Sequence, residues 1–192
     1  MKRFVCLLLV ILNFVVFSGC QNGNKSYVKD INEVAEDTLT FKATNGMQLI
    51  SFSREMTMEE TAKCVSVGSS IFGVVGKLKD VEETEYHYLY EFELIEHIYG
   101  EPIEKKLVVE YVKDVELEMG HSYLVLAKDD PYYARKDNLD IYESVHSFII
   151  DLTTLDYAYC GVMEIFIKEG ADASDIVTFI KKMETEYGHL QY

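Results

Sequence analysis

Hydrophobic and polar residues divide this chain into three regimes. Phe4 to Val16 is an apolar run broken only by Asn13 and preceded by Lys2 and Arg3, too short and wrongly flanked for a membrane span, so it reads as an export signal. Gln21 to Ser26 is polar, contains Gly and lacks apolar periodicity, which is the composition of a flexible tether. From Asp37 onward alternation dominates. Thr38–Ala43 and Met47–Phe52 both alternate around Asn45-Gly46, and this predicts a hairpin because Asn-Gly supplies the positive φ values of a tight turn. Thr57 with Glu60 three positions on is a capping pair, followed by Met58, Ala62 and Val65 on one helical face.

The middle of the chain predicts four strands. Phe72–Val81 is rich in Val, and Tyr86–Ile98 sets Tyr86, Tyr88, Tyr90, Phe92 and Leu94 on one side against His87, Glu91, Glu93 and His97 on the other. Leu107–Val112 follows, then a turn at Met119-Gly120 and the continuous apolar run Tyr123–Ala127, which suits a buried strand. Asp129–Leu139 is charged and aromatic with little periodicity and reads as a surface loop. Val145–Leu152 and Met163–Ile167 resume as strands, and Ser174 is the expected cap of a last helix carrying Ile176, Phe179, Ile180 and Met183 on one face.

Charge narrows the function classes. The chain has 192 residues and a net charge of −15, or about −17 once Lys2 and Arg3 are removed with the signal. That acidity disfavours a nucleic-acid partner and direct adhesion to anionic headgroups. Of the four cysteines, Cys6 lies in the signal and Cys20 at its end, leaving Cys64 and Cys160. Outside the cytoplasm these two either pair or serve as separate buried thiols, and both readings stay open. Neither cysteine has the neighbouring histidines of a zinc site, so no metal and no cofactor is expected.

Ser18, Gly19 and Cys20, set directly after the apolar run, resemble the cleavage site of bacterial lipoproteins. The resemblance implies diacylglycerol on the Cys20 sulfur, a signal at residues 1–19, a lipidated tether at 20–36 and one globular domain at 37–192. It places the protein on the extracytoplasmic face of the cell membrane, where two or more acyl chains anchor stably. A second resemblance covers about Ile71 to Lys128. Phe72-Gly73-Val74-Val75-Gly76-Lys77-Leu78, Tyr90–Glu96 closing on Tyr99-Gly100-Glu101, Leu107–Glu110 and Met119–Leu126 come in the order of the strands and turns of the netrin-like, tissue-inhibitor-of-metalloproteinase superfamily. It implies a β-rich α+β fold, an OB-like antiparallel β-barrel with an N-terminal hairpin and flanking helices. The family's inhibitory use of a free amino-terminal cysteine does not carry over, because Cys20 would be lipidated.

Candidate chemistry is sparse. Asp129, Asp130, Asp137, Asn138 and Asp140 offer oxygen ligands without the spacing of a calcium loop, so the segment reads as solvated. Tyr132, Tyr133 and Arg135 on it are the candidate partner-binding residues, since aromatic and arginine side chains dominate interface hot spots. The five histidines, His87, His97, His121, His146 and His189, fall in no metal-hydrolase spacing, and Glu91 with Glu93 reads as the wet side of a strand rather than a catalytic pair. No nucleophile elbow surrounds Ser69-Ser70. The expectation is therefore a lipid-anchored binding module for an envelope protein or glycan, with an envelope enzyme or a solute-binding lipoprotein as the rival readings.

Overall fold

Strand pairing gathers the alternating segments into two sheets. The computed structural model describes residues 26–44, 53–65, 71–100, 106–129 and 141–189. In chain order the elements are β1 (Leu39–Thr44), β2 (Ser53–Glu55), α1 (Met58–Val65), β3 (Ile71–Glu83), β4 (His87–Tyr99), β5 (Lys106–Val112), β6 (Ser122–Asp129), β7 (Ile141–Asp151), β8 (Ala158–Tyr159), β9 (Met163–Ile167) and α2 (Ala173–Tyr187). The larger sheet runs β5-β4-β3-β6-β7-β8, and β5 also pairs with β7, so five strands close into a ring. All its pairings are antiparallel except that closing one, which is parallel through Val108↔Ile141, Val109↔Tyr142 and Glu110↔Glu143. The smaller sheet, β2-β1-β9, is antiparallel.

Alternation explains which residues fill the ring. Phe72, Val74 and Leu78 of β3, Tyr90 and Phe92 of β4, Leu107, Val109 and Tyr111 of β5, Tyr123, Val125 and Ala127 of β6 and Ile149 of β7 form one buried cluster. Residues of opposite parity on β6 and β7, namely Leu124, Leu126, Phe148 and Ile150, join a second cluster with Ile176, Val177, Phe179, Ile180 and Met183 of α2 and with Phe41 of β1. β6 is thus buried on both faces, which is why Tyr123–Ala127 is apolar without alternating. Two glycines of β3 give the neighbouring rings room: a Cβ on Gly76 would lie 2.8 Å from the Phe92 Cβ, and one on Gly73 would lie 2.4 Å from the Tyr99 ring.

Both helices are capped, one as the sequence predicts and one differently. Thr57 Oγ1 accepts from the Glu60 backbone N–H at 3.1 Å while Glu60 accepts from the Thr57 N–H at 2.9 Å. A bidentate bond from Arg54, with the Thr57 backbone bond adding to it, pulls the Glu60 carboxyl down to about 2. The cap of α2 is Asp172, not Ser174: Asp172 and Asp175 exchange side-chain and backbone bonds as a capping box, and Ser174 donates to Asp172. Tyr86 is a second correction. It is 69% exposed instead of facing the core, because Thr84 and His87 close a turn through Thr84 N–H to the His87 carbonyl and leave Tyr86 at its tip. β1 pairs with Ser53–Glu55, just past the predicted second arm, while the Asn45-Gly46 turn and that whole arm, Met47–Phe52, lie outside the described residues.

The stretch assigned to the tether is docked from Ser26 onward. Ser26 Oγ and the Tyr27 N–H both donate to Glu96, the Lys29 N–H donates to Thr178 Oγ1, and Lys29 Nζ reaches Asp172 and Asp175 at 2.9 Å. Val34 is buried in the second cluster. Among the described residues no helix is long and apolar enough to cross a membrane.

Candidate functional site

The closing seam of the ring is also where its backbone is most irregular. Val125 of β6 pairs with Ile149 and Ala127 pairs with Ser144, so Val145–Phe148 oppose the single residue Leu126 and bulge out of the ladder. His146 (φ 49°) and Ser147 (φ 55°) carry the bulge in the left-handed region, at a cost of about 1–3 kcal/mol each. Two bonds hold it there. The Tyr111 hydroxyl donates to the Phe148 carbonyl at 3.2 Å, and the Gly161 N–H donates to the His146 carbonyl at 2.8 Å. Bulges of this kind re-aim side chains at the rims of closed sheets.

Where β7 swings away from β5, a pocket of about 180 Å³ opens between them. His87 of β4, Glu110 and Tyr111 of β5, and Glu143, His146 and Ser147 of β7 are among the residues that line it. His87 Nδ1 lies 2.7 Å from a carboxylate oxygen of Glu110, whose side chain is only 11% exposed. Glu143 is the parallel cross-strand neighbour of Glu110 and is met by Lys128 of β6 at 3.0 Å. Two carboxylates therefore stand side by side across the seam, with His87 against Glu110 and Lys128 against Glu143. Like charges directly opposite are normally avoided in sheets because they repel. This pocket has the polar acceptors to hold a ligand group, and its imidazole–carboxylate contact fixes one ring nitrogen of His87.

A second imidazole–carboxylate contact closes the opposite end of β6. His121 Nδ1 lies 2.7 Å from Asp151, its Nε2 lies 3.3 Å from Glu118, and its ring stacks on Tyr123. The hydrogen bond to buried Asp151 raises the imidazole pKa above its ordinary value. Asp151 also accepts from the Thr153 N–H at 2.7 Å, and the His121 carbonyl accepts from the Leu78 N–H, so this node ties β3, β6 and the end of β7 together.

The residues singled out in the sequence fare unequally. Cys20, Tyr132, Tyr133 and Arg135 lie outside the described residues, as do Asp130, Asp137, Asn138 and Asp140. Cys64 and Cys160 are free thiols that border the same core cluster, and burial pushes both up in pKa, Cys160 to about 11. Glu91 and Glu93 point into ion pairs, with Lys106 at 2.6 Å and Lys79 at 2.5 Å, as the wet side of β4 should. Among the described residues no group of three or more His, Cys, Asp and Glu is placed to hold a metal ion. The seam pocket itself was invisible in the sequence, because its members come from β4, β5 and β7 and meet only through the parallel register. No protein-family model matches the chain, and no curated protein matches it either.

Proposed function

We propose that this chain is an exported lipoprotein, held at the extracytoplasmic face of the membrane by lipid on Cys20, whose ring of strands is an OB-type, netrin-like barrel acting as a binding module for an envelope protein. The observation that carries this reading is the closure of the ring. Counting β3 to β7 as first to fifth, the order is third, second, first, fourth, fifth, closed by a parallel third-to-fifth pairing, and this five-strand closure supports the OB-type reading. Such barrels bind along the face of their second and third strands and with the loops after the first and fourth. Here those strands are β4 and β5, the first loop carries Tyr86, and the other is the connection from Asp129 to Ile141 that holds Tyr132, Tyr133 and Arg135.

The lipoprotein part rests on residues 2–20 and is tested by palmitate labelling. Wild-type protein incorporates label and Cys20→Ala does not; label retained in the variant would sink the anchor. The binding part is tested by crosslinking in cells, comparing wild type with a Tyr132, Tyr133, Arg135 triple alanine variant. A dominant crosslinked partner that disappears in the variant supports the module and its loop. A partner indifferent to all three substitutions removes those residues from the binding face.

A further inference from the structure

We propose that Cys64 and Cys160 are a redox pair that joins when the chain meets an oxidising disulfide, stapling α1 to the connection between β8 and β9. The inference goes beyond the binding-module reading and draws on its export half only for where the oxidant is met. Of the four cysteines these are the two in the domain from 37 to 192. Both thiols are free in the structure, and both sit at one core cluster. α1 buries Thr61, Ala62 and Val65 and packs against α2 and β7. β8 pairs with β7 through Ile150↔Ala158 and Ile149↔Tyr159, and the next residue is Cys160. β7 is thus the shared neighbour of the helix that carries one thiol and of the strand that leads into the other. The two sulfurs are near enough to feel each other, since charge on Cys64 pushes the Cys160 thiol up.

Their surroundings give the two sulfurs different parts. Cys64 is partly exposed on α1, whereas Cys160 is 8% exposed. Burial pushes both thiols up, Cys160 to about 11, against the Val162 and Met163 backbone N–H groups that bond its sulfur and draw it down. Cys64 is therefore the thiol that a soluble disulfide reaches first. Its thiolate attacks one oxidant sulfur, the oxidant S–S bond breaks, and one thiolate leaves with the electron pair and takes up the proton that Cys64 gave up. The Cys160 thiolate then attacks the Cys64 sulfur of the mixed disulfide, and the second oxidant thiol leaves with the Cys160 proton. Two protein thiols lose two electrons, and one disulfide is reduced to two thiols. The loop so closed holds β3 to β8, the whole of the larger sheet. A cross-link around a loop of about a hundred residues restricts the unfolded chain strongly.

The test treats the full lipidated chain in detergent micelles with oxidised glutathione and reads intact mass and unreduced peptide maps. Wild type should end two hydrogens lighter, with the Cys64 and Cys160 peptides linked and no glutathione retained. Cys160→Ala should stop at a glutathione adduct on Cys64, and Cys64→Ala should leave Cys160 unmodified, because the buried thiol is not the one the oxidant reaches. The rate should rise from pH 7 to 9, as attack by thiols held above their ordinary range requires. The oxidised protein should melt about 5 °C or more above the reduced one, a difference absent in Cys64→Ala. Two thiols that stay free under glutathione, or two separate glutathione adducts with no linked peptide, would overturn the inference. A bond that forms with glutathione yet is missing from protein recovered unreduced from cells would uphold the pair and count against the exported location instead.

Discussion

Gly76 is the sharpest probe of whether the ring is closed and filled. In Gly76→Ala the new Cβ falls 2.8 Å from the Phe92 Cβ and 3.3 and 3.4 Å from two atoms of its ring. Real carbon atoms do not approach to 2.8 Å, so something has to shift. Phe92 has no free side to yield into, being fully buried and packed edge-on against Tyr123 at 6.2 Å between centroids and tilted against Tyr90 at 6.4 Å. Overpacking of this kind costs about 1–3 kcal/mol. Against it stands the entropic advantage of Ala over Gly in a strand, about 0.5–1 kcal/mol. The net expectation is a loss of about 1–2 kcal/mol, which in a domain of this size lowers Tm by about 2–8 °C. Thermal and urea unfolding would read it, and because Phe92→Leu keeps the clashing Cβ but removes the ring that Tyr123 and Tyr90 pin in place, Gly76→Ala should cost less in the Phe92→Leu background than in the wild type. Gly76→Ala at or above wild-type stability, with no coupling to Phe92, would mean that β3 and β4 do not enclose a packed interior.

Three further outcomes follow from the bonding. Because the Asp151 bond raises the His121 pKa, the folded state binds that proton more tightly than the unfolded one; the contribution is full below the ordinary histidine value of 6.5 and is lost as pH rises through the raised value. Unfolding measured from pH 5 to 9 should show this decline, and Asp151→Asn should flatten it. Tyr111→Phe removes the hydroxyl bond to the Phe148 carbonyl and should cost about 1 kcal/mol in urea unfolding, with faster amide exchange through the bulge. Unchanged exchange there would show that the bulge is held some other way. Asp172→Ala removes the α2 cap and one anchor of Lys29, and should cost about 1–2 kcal/mol. Since the Lys29 bond chiefly, then the cap, holds the Asp172 carboxyl well below the usual range, that stability should be present above the unfolded carboxylate pKa near 3.9 and disappear as pH falls through the folded value.

What the sequence made legible was whatever depends on near neighbours. Val-rich and alternating runs marked β3 to β5 and the second half of β7, the unbroken run Tyr123–Ala127 announced a buried strand, and the Thr57–Glu60 pair marked the start of α1. The cap of α2 was misread by two residues because Asp172, Ser174 and Asp175 are all good capping types, and only the reciprocal bonds of Asp172 with Asp175 decide among them. Long-range facts left no trace in spacing. β1 pairs with β9 across more than a hundred residues, Val34 reaches the core, and β5 meets β7 in parallel. The bulge gave no signal either, since His146 and Ser147 are not the Gly or Asn that advertise positive φ. The pocket, built from that register and that bulge, was therefore hidden, although His87 and His146 were each visible singly.

The most direct test of the account is a photo-crosslinking residue placed at Tyr86 of the full chain in living cells, at the exposed tip of the β3–β4 turn. The account predicts one prominent adduct with an envelope protein, lost when Tyr132, Tyr133 and Arg135 are all changed to Ala. An adduct of equal yield in that triple variant, or none from this position while other surface positions crosslink, would contradict it.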